Sequence, residues 1–310
     1  RLADDDGGIG ELDTVVFVGE RDTVAPTLDI VDVTPDPRNT NVGTVAFHFD
    51  EAVRGFDLGD LELTRGGTAI DLSTLDLRQL SPARYEIDLA SVTESDGEYE
   101  LRVLPETSGV TDLAGNAMTT GGSDQFTIDT LPPRVESLVY DDESGQRSVV
   151  RSITVTFDSI VQIDEGAFSV RSSTNEAVGV QVQSSVVNGK TRVLLTFSGS
   201  LVDSSGSLQD GNYRLTILDT HVRDFAGNLL DGDADGSAGA NAADDFYRLF
   251  GDVDGDRDVD GQDYGRFASA FLKSTSDAGY IAAFDSDNDG DIDGQDYGRF
   301  AQRIFTDLPE

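Results

Sequence analysis

Two acidic segments near the C-terminus have the residue types and the spacing that could bind a hard cation. Residues 251–268 read GDVDGDRDVDGQDYGRFA, and residues 284–301 read FDSDNDGDIDGQDYGRFA. Each contains a twelve-position loop with aspartate at positions 1, 3, 5, 7, 9 and 12. Alternate side chains of such a loop turn toward one ion, and their oxygens suit Ca²⁺, so the pattern predicts two calcium sites. The expected ligands are Asp252, Asp254, Asp256, Asp258, Asp260, Asp263, Asp285, Asp287, Asp289, Asp291, Asp293 and Asp296.

The two loops differ at position 6, where the chain usually needs a positive φ. The second loop has Gly290 there, whereas the first has Arg257. A side chain in the left-handed conformation is strained, so we expect the first loop to bind calcium more weakly. Position 8 is apolar in both loops, as Val259 and Ile292, which is typical of a folded calcium loop.

A helical pattern follows each loop. In residues 264–272, Phe267 and Phe271 are four positions apart, and Phe300 and Ile304 repeat this spacing in residues 297–305. Side chains spaced in this way lie on one face of a helix, so we expect the two helices to pack on each other in a small core.

A calcium loop with one exit helix, duplicated within residues 251–305, resembles the type I dockerin. The resemblance implies a module that folds on binding Ca²⁺ and docks to a cohesin-like protein domain, in either of two orientations. Many members carry a basic pair on the helix, where this chain has Ala268-Ser269 and Ala301-Gln302. The resemblance implies partner contacts at loop positions 10 and 11, which are Gly261, Gln262, Gly294 and Gln295. Because the basic pair is missing, we predict contacts also from Tyr264, Arg266, Tyr297 and Arg299.

A third acidic stretch, residues 231–236, places Asp231, Asp233 and Asp235 at positions 1, 3 and 5 of a similar loop. Position 12 is Ala242, which cannot complete the shell of ligands. We therefore favour a flexible acidic loop within a Gly-rich linker, residues 231–245, and keep a third metal site as the alternative.

The chain before residue 250 alternates apolar and polar residues, which indicates half-buried antiparallel strands. It also repeats itself: VAFHFDEAV (45–53) matches ITVTFDSIV (153–161), and TDLAGNAM (111–118) matches RDFAGNLL (223–230). The offsets are 108 and 112 residues, the size of a β-sandwich. The fold class is therefore mostly β, with two tandem Ig-like sandwiches followed by a small α-helical module.

The repeated units resemble bacterial Ig-like domains through a DTxxP segment, a GxYxLxV strand and a DxAGN turn. We interpret the DxAGN sequence as a structural turn, because Gly and Asn tolerate a left-handed backbone and Asp caps nearby amides. The predicted boundaries are 1–22 for the tail of a preceding domain, 23–129 and 130–249 for the two sandwiches, and 250–310 for the calcium module.

Composition excludes several classes of function. The net charge of −37 repels phosphate and anionic lipid, which argues against nucleic-acid or membrane-surface binding. There is no cysteine, so disulfides, zinc–thiolate sites and cysteine nucleophiles are excluded. The two histidines, His48 and His221, lie in no recognisable catalytic motif, and we predict no catalytic residue. No apolar run approaches the length of a membrane span.

These observations predict a non-catalytic, calcium-dependent docking region of a larger secreted or surface bacterial protein. An upstream part could carry a polysaccharide-degrading enzyme and so contact polysaccharide. Two alternatives stay open. The chain could be an adhesin or matrix protein that calcium merely stabilises, or a sandwich domain could hold a hydrolase.

Overall fold

The computed structural model describes residues 21–105 and 107–309, which form two compact units. The first unit comprises residues up to Thr34 and Asn41–Ile128, and the second comprises Pro35–Thr40 and the chain from Asp129 onward. Except for its last two residues, the predicted tail of a preceding domain, residues 1–22, lies outside the described residues.

The first unit is a β-sandwich of two four-stranded antiparallel sheets, ordered β1-β2-β7-β6 and β10-β8-β4-β5, and a separate β3–β9 pair. The alternation predicted for residues 45–49 is confirmed, because Val45, Phe47 and Phe49 are all buried in the core between the sheets. The strands are β1 (Leu28–Ile30), β2 (Thr44–Phe49), β3 (Val53–Arg54), β4 (Leu61–Arg65), β5 (Thr68–Ile70), β6 (Leu77–Ser81), β7 (Arg84–Asp88), β8 (Gly97–Val103), β9 (Thr111–Asp112) and β10 (Gly122–Ile128).

The second unit contains another sandwich, with strands ordered β11-β12-β16-β15-β14-β17-β19 and a separate β13–β18 pair. Its strands are β11 (Val135–Tyr140), β12 (Ser152–Phe157), β13 (Gln162–Ile163), β14 (Phe168–Ser172), β15 (Ala177–Val187), β16 (Lys190–Ser198), β17 (Gly211–Ile217), β18 (Val222–Arg223) and β19 (Ala242–Arg248). Strand β15 joins the two layers, because it pairs with β14 at Ala177–Val178 and with β16 from Gly179 onward.

The linker predicted for residues 231–245 is wrong at its C-terminal end. Residues 242–245 form the first half of β19, which pairs with β17 along its whole length. The small side chains of Ala242 and Ala243 read as linker in the sequence, but Ala242 is buried against the sandwich core. Tertiary burial overrides the low strand propensity of alanine at this position.

The C-terminal region, which the sequence analysis treats as a separate module, belongs to the same unit as the second sandwich. Its helices are α1 (Gly261–Ala270) and α2 (Gly294–Ala301), and a short β20–β21 pair joins Asp258–Val259 to Thr306–Asp307. The predicted packing of the two helices is confirmed, because the rings of Phe267 and Phe300 stack with centroids 4.5 Å apart.

The core of this region includes residues of the second sandwich. Val149 and Tyr247 are buried in the same apolar cluster as Phe250, Phe284 and Phe300. Sharing a core in this way places the acidic loops directly against a folded sandwich instead of at the end of a linker.

Candidate metal centre

The first acidic loop brings its predicted ligands together. Oxygens of Asp252, Asp254 and Asp263 lie within 4.8 Å of one another, and oxygens of Asp258, Asp260 and Asp263 form a second such group. Asp252 and Asp263 are completely buried at the two ends of the loop. The structure therefore gathers five of the six predicted carboxylates around one small volume.

The second loop repeats this arrangement. Oxygens of Asp285, Asp287 and Asp289 lie within 4.8 Å of one another. Asp285 and Asp296, at positions 1 and 12, are each only 1% exposed. Asp291, at position 7, is exposed on the rim of the loop. The two loops thus match in burial at their ends and differ at this rim.

Backbone amides hold the end carboxylates in place. Asp252 accepts hydrogen bonds from the amides of Gly255 and Arg257, at 2.6 and 3.0 Å. At the equivalent position, Asp285 accepts from the amides of Asp289 and Gly290, at 3.2 and 3.0 Å. Turning backbone donors inward in this way is what wraps a loop around a central charge, and it fixes one carboxylate before any ion binds.

The carboxylates at positions 9 and 12 also begin the helices. Asp260 is the N-cap of α1 and accepts a 2.6 Å hydrogen bond from the amide of Gln262, while Asp263 accepts one from the amide of Asp260. Asp293 and Asp296 form the same capping box at the start of α2. Each helix therefore begins at position 10 of its loop, three residues before the segments 264–272 and 297–305 that showed the helical pattern. The reason is that each cap satisfies amides that would otherwise lack partners.

Three carboxylate oxygens in the loops are buried and have no hydrogen-bond partner among the described residues. They are Oδ1 of Asp254 and of Asp258 in the first loop, and Oδ1 of Asp287 in the second. Asp254 and Asp287 occupy position 3 of their loops, so the two halves of the duplication leave the same acceptor unsatisfied. A buried acceptor without a donor is unfavourable, and a bound cation would satisfy it.

Burial and crowding disfavour the charged form of these groups. Burial, and then repulsion from Asp263 and Asp256, raises the pKa of Asp254 above its usual range. Burial, and then repulsion from Asp289 and Asp296, raises the pKa of Asp287 in the same way. A divalent cation would reverse both effects, because it replaces repulsion among carboxylates with attraction.

Arg257 has the positive φ that position 6 requires, +79°, against +97° for Gly290. Its side chain is held by the second sandwich: the guanidinium lies 4.3 Å from the centroid of the Tyr247 ring and donates to Oδ1 of Asn212 at 3.1 Å. These contacts offset a strain of roughly 1–2 kcal/mol for a non-glycine residue in this region. The sequence showed the strain but not the partners that compensate for it.

Other contacts fasten the acidic region to the sandwich. The amide of Arg147 donates to the carbonyl of Asp252 at 3.0 Å, and the Arg151 side chain donates to the carbonyl of Asp285 at 3.1 Å. Asp210, just before β17, accepts from both Arg248 and Arg303, at 2.7 and 2.6 Å. Each loop is therefore tied to the second sandwich through backbone and charged groups.

The predicted partner-binding residues separate into two kinds. Tyr264 and Tyr297 are 50% and 47% exposed on corresponding faces of α1 and α2. Gly261, Gln262, Gly294 and Gln295 are likewise exposed. In contrast, Arg266 and Arg299 donate to the carbonyls at position 2 of their own loops, at 3.0 and 2.8 Å, and so brace each helix against its loop.

The third acidic stretch is built differently. Oxygens of Asp231, Asp233 and Asp235 lie within 4.8 Å of one another, but Asp233 and Asp235 are exposed. The buried Asp231 accepts from the amides of Asp235 and Gly236, at 3.1 and 2.9 Å. Among the described residues, this loop leads into β19 instead of a helix, so it has no carboxylate corresponding to Asp263.

A further acidic group, which the sequence analysis did not identify, lies in the first unit. Asp22, Glu51 and Asp112 place oxygens within 4.8 Å of one another. Asp112 belongs to the DxAGN turn, where Asn116 donates to the Asp112 carboxylate and to the carbonyls of Asp22 and Val24. The DTxxP segment and the DxAGN turn are both visible in the sequence, and each contributes an aspartate to this group. These two motifs were the available signal for it.

Comparison with known proteins identifies the sandwiches. A family model described as a bacterial Ig-like domain matches residues 22–130, and a second model with the same description matches residues 129–237. Neither match extends into the acidic loops near the C-terminus. No curated protein sequence matches the chain.

Among solved structures, an I-band fragment of titin, I67–I69, is 12% identical, with a TM-score of 0.34, over 73% of this chain. The match spans 66% of that fragment. The ectodomain of mouse nectin-like molecule 4, Ig1–Ig3, is 9% identical, with a TM-score of 0.29, over 72% of this chain and 64% of its own length. Such low similarity carries no functional argument. Neither helix in the described part of the chain is long and apolar enough to cross a membrane.

Proposed function

We propose that the two tandem bacterial Ig-like domains of this chain, in residues 22–237, form a spacer for a calcium-dependent docking region. In this proposal, residues 250–310 bind two Ca²⁺ ions and present α1 and α2 to a cohesin-like protein domain. The region has no catalytic role and acts outside the cell or on its surface, where Ig-like spacers are typical. An upstream polysaccharide-degrading enzyme fits the same proposal.

The observation that carries the proposal is the unsatisfied oxygen at position 3 of both loops. Oδ1 of Asp254 and Oδ1 of Asp287 are buried without a donor, each beside an end carboxylate that backbone amides hold in place. Carboxylate oxygens around a flexible loop favour Ca²⁺ over transition metals, which prefer nitrogen or sulfur. A solvated acidic surface would not leave the same buried acceptor unsatisfied in both halves of the duplication.

The docking half of the proposal depends on the helix faces. Tyr264 and Tyr297 are exposed at equivalent positions, and aromatic residues on a rigid surface are favourable contacts for a protein partner. Next to Tyr297 lies Phe271, with ring centroids 6.2 Å apart, so the aromatic surface extends from the end of α1 to α2. This face is held by the same core that calcium would stabilise.

A calcium titration of the full chain tests the metal sites, followed by calorimetry and by circular dichroism. We expect two sites, with Asp254→Asn and Asp287→Asn each weakening one of them at least about tenfold, or 1.4 kcal/mol. Asp76→Asn, at an exposed acid of the first unit, is the matched control and should leave both sites unchanged. Binding that all three variants leave intact would contradict the proposed ligands.

A second function is favoured by the contacts between the loops and the sandwich. Because the Arg147 amide binds the carbonyl of Asp252, calcium in the first loop would also stiffen the joint between sandwich and C-terminal region. An adhesin or matrix protein needs only this stiffening. To separate the two functions, a purified cohesin domain is titrated with the chain in calcium. Docking predicts binding that the double variant Gln262→Ala, Gln295→Ala abolishes, whereas stiffening predicts no binding at all.

A further inference from the structure

Strand β15 has a long hydrogen-bonding edge that no other described strand covers. Its residues from Gly179 to Val187 pair with β16 on one side. The strand pairs with β14 only at Ala177 and Val178 in the described residues. The other side of residues 179–187 is therefore an open edge of the sheet. Such an edge presents a row of unpaired amides and carbonyls that can pair with another strand.

The geometry of the hairpin identifies the outward groups. Asn188 and Gly189 both have positive φ, +52° and +76°, so β15 and β16 are joined by a two-residue turn that sets Val187 opposite Lys190. The pair beside such a turn exchanges hydrogen bonds, and bonded pairs alternate along the ladder. The amides and carbonyls of Val182, Ser184 and Val186 consequently face the open side.

Two valines along the uncovered part of this edge are only partly buried. Val182 and Val186 lie opposite Leu195 and Thr191 of β16, which are buried, so they point to the core side of the sheet. Even so, Val182 is 46% exposed and Val186 is 58% exposed. An additional strand beside β15 would bury both.

The corresponding edge strand of the first unit shows the protection that β15 lacks. Strand β6 occupies the outer position of its sheet, but it has five residues, an irregular register between Gln79 and Ser81, and a charged Arg78 paired with Glu86. Short length, irregularity and charge are the usual ways in which proteins block an edge. From Ala177 to Val187 strand β15 has no charged residue, no proline and no register shift.

We propose that the β15 edge pairs with the β15 edge of a second copy of this chain, antiparallel about a two-fold axis at Ser184. In that register, Val182 of each copy lies opposite Val186 of the other, and the outward backbone groups of both strands meet. The electrostatics favour this face for self-association. The chain has a net charge of −37, yet residues 177–194 contain Lys190, Arg192 and no acid. The neighbouring Glu136 is paired with Lys190, so two such edges meet with little carboxylate repulsion.

A charge-swap experiment at Ser184 tests this pairing, with the self-association of the full chain measured by sedimentation equilibrium. Ser184→Lys and Ser184→Glu each place like charges opposite one another, and each should weaken the dimer by at least about tenfold. An equimolar mixture of the two variants should restore it as a heterodimer. Gln79→Lys, in the equivalent edge strand of the first unit, is the control and should leave the dimer unchanged.

Two conditions make the experiment specific. The dimer should strengthen with added salt, because screening weakens the repulsion between two acidic chains. It should also form in the presence of a calcium chelator, which separates this edge from the proposed metal sites. The proposal is overturned if the chain is monomeric at every concentration, or if the dimer survives both Ser184 variants. If the chain were monomeric and an unrelated strand peptide bound to the β15 edge, the occupant of that edge would be a peptide and not a second copy. That result would also overturn the proposal.

Discussion

The two acidic loops are near copies in sequence, yet they lie in different surroundings. Asp252 of the first loop accepts a 2.8 Å hydrogen bond from Tyr247, a residue of the second sandwich. Asp285 of the second loop accepts a 2.7 Å bond from Tyr280, which lies within the C-terminal region itself. The first loop thus uses a strand of the neighbouring domain where the second uses a local residue.

A duplicated sequence therefore does not guarantee two equivalent sites. Arg257 would be a poor choice in an isolated loop, but it gains Tyr247 and Asn212 from the sandwich. Gly290 needs no such support, because glycine adopts a positive φ freely. A docking partner that could bind an isolated symmetric module in two orientations would here meet two halves with different contacts to the second sandwich.

The largest expected effect tests whether the loops share one core. Phe300 is fully buried and contacts the rings of both Phe267 and Phe284. Phe300→Ala should lower the free energy of unfolding by about 3–5 kcal/mol and weaken calcium binding at both loops, not only at the second. Denaturant unfolding and calorimetry measure the two effects. Phe305→Ala, at a position 84% exposed, is the control. Weakening confined to the second loop would show that the halves are independent.

Removal of calcium tests how far the second sandwich depends on the first loop. A ligand at a hundred times its Kd stabilises the folded state by about 2.7 kcal/mol per site. We expect a chelator to lower the melting temperature of the second unit and leave that of the first unit unchanged. Differential scanning calorimetry of the full chain resolves the two transitions. Equal shifts in the melting temperatures of both units would argue against a specific coupling between the first loop and the second sandwich through Asp252.

Exchange of the position 6 residues tests the compensation at Arg257 directly. Gly290→Arg should destabilise the second loop by roughly 1–2 kcal/mol, because a side chain is strained at the positive φ of this position. Arg257→Gly relieves strain and loses the contacts with Tyr247 and Asn212, so its net effect should be small. Calcium affinity and unfolding in each variant provide the measurement. Similar losses in both variants would mean that the sandwich contacts do not compensate for the strain.

The smallest expected effect concerns the two tyrosines. Tyr247→Phe and Tyr280→Phe each remove one hydrogen bond to an end carboxylate, with an expected cost of about 0.5–1.5 kcal/mol. Tyr247→Phe should weaken only the first loop and Tyr280→Phe only the second, as site-resolved NMR titration with calcium would show. If Tyr247→Phe altered calcium binding at both loops equally, the tyrosine contacts would not distinguish the two loops.

Much of the candidate site followed from the sequence. Alternating aspartates with an apolar residue at position 8 predicted loops that gather their carboxylates, and Asp252, Asp254 and Asp263 do lie together. The helix starts were missed because a capping aspartate and a ligand aspartate look alike in sequence: Asp260 and Asp293 were assigned as ligands, and both also cap helices. The linker prediction failed at Ala242 because short-range composition does not reveal which strand a segment will pair with.

The features that followed from the sequence are local: alternation that makes strands, repeats that mark two Ig-like domains, and acidic loops whose turns and carboxylates need only neighbouring residues. Which distant residues these elements bring into contact depends on the tertiary fold. The Arg257 side chain contacts the ring of Tyr247 and the amide of Asn212, 10 and 45 residues away in the chain. The edge strand β15 is long and regular, whereas the edge strand β6 is short and irregular. Such contacts depend on long-range packing, in which residues far apart in the chain become neighbours through burial of a common core.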